Sequence, residues 1–241
     1  MSGYADLVSC CRAPHCSSID WARAHIVPAC FARRLSSIRG RNIHLTATGG
    51  QRARQQNGET DDNILCRACD AVIGQLDQYG LEVCQRFPTG PYNERFAELN
   101  VVDGDRFALF VLSIIWRASI SNRENFACID LGRYEALAAK ALFEGFPMAD
   151  FSEYSLIANR FWSDHLDAAK FYTLPVRDNI RGINIVKFAL GGFQLIAKFD
   201  RRPFSGDFAT LAANGKSVLR CAVIPLENTS EFSMMLESAI R

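Results

Sequence analysis

Excess charge of one sign, long apolar runs, a leader-like start and repeats are what this sequence lacks. The formal net charge is +1 over 241 residues, so the chain as a whole is not a basic polyanion binder, and any such role has to come from local clustering. The longest apolar run, Phe107 to Trp116, is interrupted by Ser113 and followed at once by Arg117. It is half the length of the ~20-residue run that spans a bilayer, and it reads as a buried helix of a soluble protein. Met1 to Cys16 has no cationic start followed by an apolar stretch, so no secretory leader is expected. No internal repeat or low-complexity tract interrupts the chain.

Hydrophobic residues are plentiful, at 49%, enough to bury a proper core in one large domain or two small ones. Cysteine is also well represented, with nine residues. An odd count without a leader argues against a disulfide scaffold and for metal ligation in a reducing cytoplasm. Two pairs stand out: Cys11-x4-Cys16 and Cys66-x2-Cys69. Thiolates bind Zn2+ tetrahedrally and a structural site needs four ligands, so two close pairs far apart in sequence predict one structural zinc clipping a long loop. Cys10 could replace Cys11, and His15, beside Cys16, is a further candidate ligand. Cys84, Cys128 and Cys221 read as small buried hydrophobes, and Cys30 stays ambiguous.

Between the pairs, a short strand is expected through Ile19, Trp21 and His25. Residues 36–62 are polar and lack apolar periodicity, which predicts a long loop or a partly disordered insert. Arg33, Arg34, Arg39, Arg41, Arg52 and Arg54 fall in a stretch with no acid between Asp20 and Glu59, which reads as a basic patch suited to phosphate or as a solvated loop. From Cys66 to Phe87, Val72, Ile73, Leu76, Tyr79 and Val83 recur at helical spacing, so the second cysteine pair heads a helix. Pro88 to Pro91 marks an expected boundary between residues 1–90 and residues 91–241.

Beyond it, Asp103 or Asp105 caps an expected helix to about Ser121, apolar nearly all round and hence the central helix of the second part. Arg117 at its end reads as either a satisfied buried ion or a helix-end charge. A further helix is expected from Leu131 to Phe143. Strands are expected over Phe171–Val176, Ile183–Leu190, Phe193–Phe199 and Val218–Ile224, with Gly191-Gly192 as a hairpin turn. A final helix runs from about Asn228 to Ile240. The fold class is α+β. An edge strand such as Phe193–Phe199 would offer a surface for a protein partner or a second copy.

A cysteine pair, then His25-x-x-Pro28, a variable loop, and Asn63-x-Leu65-Cys66-x-x-Cys69 heading a helix resembles the zinc-stapled HNH endonucleases, the treble-clef or ββα-metal nucleases. The resemblance covers about the first third of the chain. It implies that the zinc is structural and that His25 is the general base activating water against a phosphodiester, with Asn63 orienting it. It also implies a second divalent ion such as Mg2+ for catalysis, DNA or RNA as substrate, and a setting of DNA handling or phage conflict. The chain departs from the family pattern at two ligand positions: Ala24 precedes His25, and Gly74 lies one turn past Asp70. Asp70 is then the one helical carboxylate able to serve, with Asp20 a second candidate upstream and Asp77 two turns further along. His25 has two other readings, as a zinc ligand or a hydrogen-bonding histidine, and the scaffold may equally bind nucleic acid or protein without cutting.

Overall fold

The computed structural model describes residues 10–31, 44–45, 59–88 and 90–233. The six arginines of the basic patch lie outside the described residues, as does most of the 36–62 insert. The chain folds as a mixed α+β protein, and among the described residues no helix is long and apolar enough to cross a membrane.

Three two-residue strands open the chain: β1 (Ala24–His25), β2 (His44–Leu45) and β3 (Thr60–Asp61). β1 and β3 form an antiparallel ribbon with Ala24 opposite Asp61 and His25 opposite Thr60. The pairing continues toward the cysteines through Ala22 N–H to Leu65 O and the Trp21–Cys66 bridge. The far end of the insert is therefore not loop. Glu59, Thr60 and Asp61 are buried, because polar side chains can be interior once they find partners.

Helix α1 (Arg67–Arg86) follows, then β4 (Phe96–Asn100) and α2 (Gly104–Ile120). Asp103 caps α2 by accepting from Arg106 N at 2.9 Å. Thirteen of the seventeen α2 residues are buried, which is what a helix apolar on every face requires. It packs against α1, against α3 (Tyr134–Phe143), and against the sheet. The α1–α2 approach is close enough that a Cβ on Gly80 would stand 2.4 Å from the Phe110 ring.

The strands β5 (Tyr154–Trp162), β7 (Val176–Ile180), β8 (Ile183–Leu190), β9 (Phe193–Phe199) and β10 (Val218–Pro225) join β4 in a six-stranded sheet of order β4-β10-β5-β9-β8-β7. The short β6 (Tyr172–Thr173) pairs with β2 instead. All neighbours run antiparallel except β10 and β5. Gly191 and Gly192 take φ of 61° and 85° in the β8–β9 turn, a left-handed pair that side chains disfavour. β9 is not an edge: it is hydrogen-bonded to β5 on one side and β8 on the other, so the sheet ends in β4 and β7. The principal buried cluster contains residues from both sides of Pro88–Pro91, from Cys11 and Ile26 through Phe110 to Phe193 and Cys221.

Past β9, Asp200 gathers the Arg202 guanidinium at 2.6 and 2.8 Å together with the backbone N–H groups of Arg202 and Asn184. These donors, the Arg202 side chain first, hold its carboxyl far below the usual carboxylate range. A folded value lower than the unfolded one, about 3.9, means that this stabilisation is complete above that pH and lost as pH falls through the folded value. Asp200→Asn is expected to lower the urea midpoint at about pH 7 and to lower it less at about pH 3. Both proteins share the cysteine cluster, so its own acid response cancels in the gap. A gap equally wide at both pH values would remove Asp200 from the account.

Candidate metal centre

The Cys11–Cys16 turn is built onto the ribbon by backbone bonds. Cys11 N–H donates to Ser18 O, Cys16 N–H to Ala13 O, and Arg12 N–H to Ile64 O just before the second pair. His15 sits at the tip with φ of 56°. Its imidazole points away, to the Glu144 carboxylate at 3.3 Å, and does not join the cysteines. Cys66 precedes the first residue of α1 and Cys69 falls in its first turn, which brings both thiols to one side.

The Sγ atoms of Cys11, Cys16, Cys66 and Cys69 all lie within 4.8 Å of one another. Cys16 and Cys66 are 3.7 Å apart; sulfurs about 2.3 Å from a tetrahedral zinc stand about 3.8 Å from each other. Burial pushes the Cys66 thiol up, but the Cys69 backbone N–H and the other three thiols outweigh it and bring Cys66 down to about 7. Burial first, and then the neighbouring thiols, raise Cys69, and burial raises Cys11. One thiolate is accommodated at its neighbours' expense, and a dication is what would let all four ionise together. The four residues fit a metal ion such as zinc. Cys10 is exposed and outside the cluster. Cys84 and Cys221 are buried as expected, whereas Cys128 is exposed, since it follows a short 3-10 turn that only Phe126 anchors.

Beside the cluster lies the floor formed by the ribbon and α1. His25 is half-buried on β1. Asp70 is half-buried in the first turn of α1; burial pushes its carboxyl up and the Arg117 guanidinium pulls it down. Asp77, two turns on, interacts electrostatically with both His25 and Asp70 and is itself clamped by Arg117. Burial drives the Asp77 carboxyl up while Arg117 opposes that. Asn63 is exposed in the irregular stretch that links β3 to Ile64, its N–H donating to Asp61 Oδ1 at 3.0 Å. Asp20 takes no part here. It pairs with Arg67 at 3.0 Å on the exposed, cysteine end of the ribbon.

The residues that sequence spacing did not single out for this floor are Asp77, as the shared neighbour of His25 and Asp70, and the partners of Arg117. Arg117 was visible as a charge interrupting an apolar helix. What it meets, forty positions away on α1, carries no local signal.

No family model, curated protein or solved structure matches this chain. Its chemistry rests on its own geometry.

Proposed function

We propose that the N-terminal residues form an HNH-like, zinc-stapled nuclease module that hydrolyses phosphodiester bonds of DNA or RNA. The observation that carries the reading is the set of four cysteines, all within 4.8 Å of one another, that joins the Cys11–Cys16 turn to the start of α1, with the Arg117–Asp77 ion pair bridging α1 to the His25 carbonyl on β1. His25 on β1 and Asp70 on α1, the two candidate catalytic side chains, both interact with that ion pair at the floor of a ribbon-and-helix unit clipped by four cysteines. An imidazole titrates near neutrality and takes a proton from water attacking phosphorus. The Asp70 carboxylate is the side chain that would hold a divalent ion such as Mg2+, whose chemistry is to stabilise the departing oxyanion. Asn63, exposed beside the ribbon, would orient water or phosphate with its side-chain amide. The arginines of the insert are the phosphate contacts in this reading.

A second reading keeps the scaffold without the chemistry. The position before His25 is Ala24, fully buried, and Asp77 is committed to Arg117, so that of the two α1 carboxylates Asp70 and Asp77 only Asp70 is left for an ion. On that reading the module binds nucleic acid, with affinity falling steeply as salt rises, and does not cut it.

The test is cleavage of plasmid DNA and of a structured RNA with added Mg2+ or Mn2+, comparing wild type with His25→Ala. Loss of the base should reduce the rate by about 100- to 10,000-fold. Undiminished cleavage by the variant removes His25 from the mechanism. Salt-dependent binding by a wild type that never cleaves selects the second reading.

A further inference from the structure

The last turn of α2 grips both strands of the ribbon. Arg117 and Ser121 are four residues apart, so they share one helix face about 6 Å apart along the axis. Arg117 is 1% exposed, and each of its five N–H donors has an acceptor. Nε donates to Ser113 O at 3.1 Å, and Nη2 to Asp77 Oδ1 at 2.7 Å and Ser113 Oγ at 3.2 Å. Nη1 donates to Asp77 Oδ2 at 3.0 Å and to the backbone carbonyl of His25. A guanidinium with all five donors engaged has one orientation, and lysine, with three donors on a flexible stem, cannot reproduce it. Ser121 Oγ meanwhile donates to Asp61 Oδ2 at 2.7 Å, and the other oxygen of that carboxylate accepts from Asn63 N–H at 3.0 Å. One residue thus holds the strand of His25, and the other holds the turn of Asn63.

We propose that the α2 terminus is a clamp setting the relative position of His25 and Asn63, with Arg117 and Ser121 as positioning residues contributed by the second part of the chain. The consequence for rate rests on the nuclease reading; the consequence for geometry does not. A buried ion pair adds little net stability compared with an apolar pair, so a fully engaged guanidinium at this spot is better explained by the orientation it fixes. Displacing a catalytic group by about 1 Å costs on the order of 100-fold in rate.

The experiment uses the full chain loaded with zinc and three variants: Arg117→Lys, Ser121→Ala and Ser121→Thr. Backbone and ring resonances of His25 and Asn63 are compared by NMR, and kcat and KM are measured on DNA. Arg117→Lys is expected to shift the His25 signals and Ser121→Ala those of Asn63. The same variants should lower kcat by about 10- to 100-fold with KM little changed, and Ser121→Thr, which keeps the hydroxyl, should restore both readouts. Unmoved His25 and Asn63 resonances in folded, zinc-bound variants overturn the clamp, as does a Ser121→Thr protein indistinguishable from Ser121→Ala. If Arg117→Lys does not fold, the two Ser121 variants decide the matter alone. A wild type that cleaves nothing would sink the nuclease reading, while the resonance comparison still judges the clamp.

Discussion

Cys66→Ser is expected to lose the metal and to melt the ribbon around it. Cys66 is 1% exposed, lies between the fully buried Leu65 and the start of α1, and its N–H donates to Cys11 Sγ at 3.3 Å. No sulfur in the cluster sits deeper. A serine hydroxyl is a poor zinc ligand and leaves the remaining three sulfurs facing an incomplete shell. Binding of a structural zinc is worth about 10–16 kcal/mol in apparent terms near neutrality, comparable to the stability of a whole domain, about 5–15 kcal/mol. The knuckle and the ribbon are held together by few backbone bonds besides, so little would replace the metal. Elemental analysis should give one zinc per wild-type chain and none in the variant. Trp21, bridged to Cys66, reports the local loss by fluorescence. A variant that keeps a full equivalent of zinc, or a wild type holding less than half of one, would remove the metal centre from the account.

The second large effect concerns the ion pair under the floor. Asp77→Ala alone should destabilise the fold by about 3–5 kcal/mol, because it leaves a buried guanidinium without its counter-charge. The side chains of Arg117 and Asp77 are 1% and 13% exposed, with bidentate contacts at 2.7 and 3.0 Å. Asp77→Leu combined with Arg117→Met substitutes apolar groups for both charges and should recover most of that loss. Urea unfolding of Asp77→Leu, of Arg117→Met and of the double variant closes the cycle. Additive costs would mean that the pair is not coupled as its geometry requires. The double variant has a further use: it should be stable yet lack the hold on the His25 carbonyl, separating stability from positioning.

Helices and the hairpin were legible where one pattern dominated. The spacing of Ile73, Leu76 and Val83, and the capping aspartate at 103, anticipate α1 and α2 to within a residue or two. Gly191-Gly192 between two apolar runs anticipates β8 and β9. β5 was not anticipated although it is central to the sheet. Asn159 and Arg160 interrupt its apolar run, and only the fold supplies their partners: Gln194 for Asn159, and the Phe193 ring and two glycine carbonyls for Arg160. β4 is short, half-exposed and close to Pro91, so its sequence reads as loop. The four cysteines were legible because metal ligation constrains their spacing. The pairs Asp77–Arg117 and Asp61–Ser121 were not, since they join positions 40 and 60 residues apart with no periodicity linking them.

The place of β10 bears on how this chain is made. Val218 to Ala222 pair with Asn100 to Phe96, so β4 finds its one neighbour in the sheet more than a hundred residues later in the chain. At about 5–20 residues per second of synthesis, β4 waits on the order of ten seconds on the ribosome with both edges open. Over that interval α2, apolar on nearly every face, also lacks the sheet that will cover it. Release before residue 225 is therefore expected to yield an aggregation-prone fragment rather than a smaller folded protein.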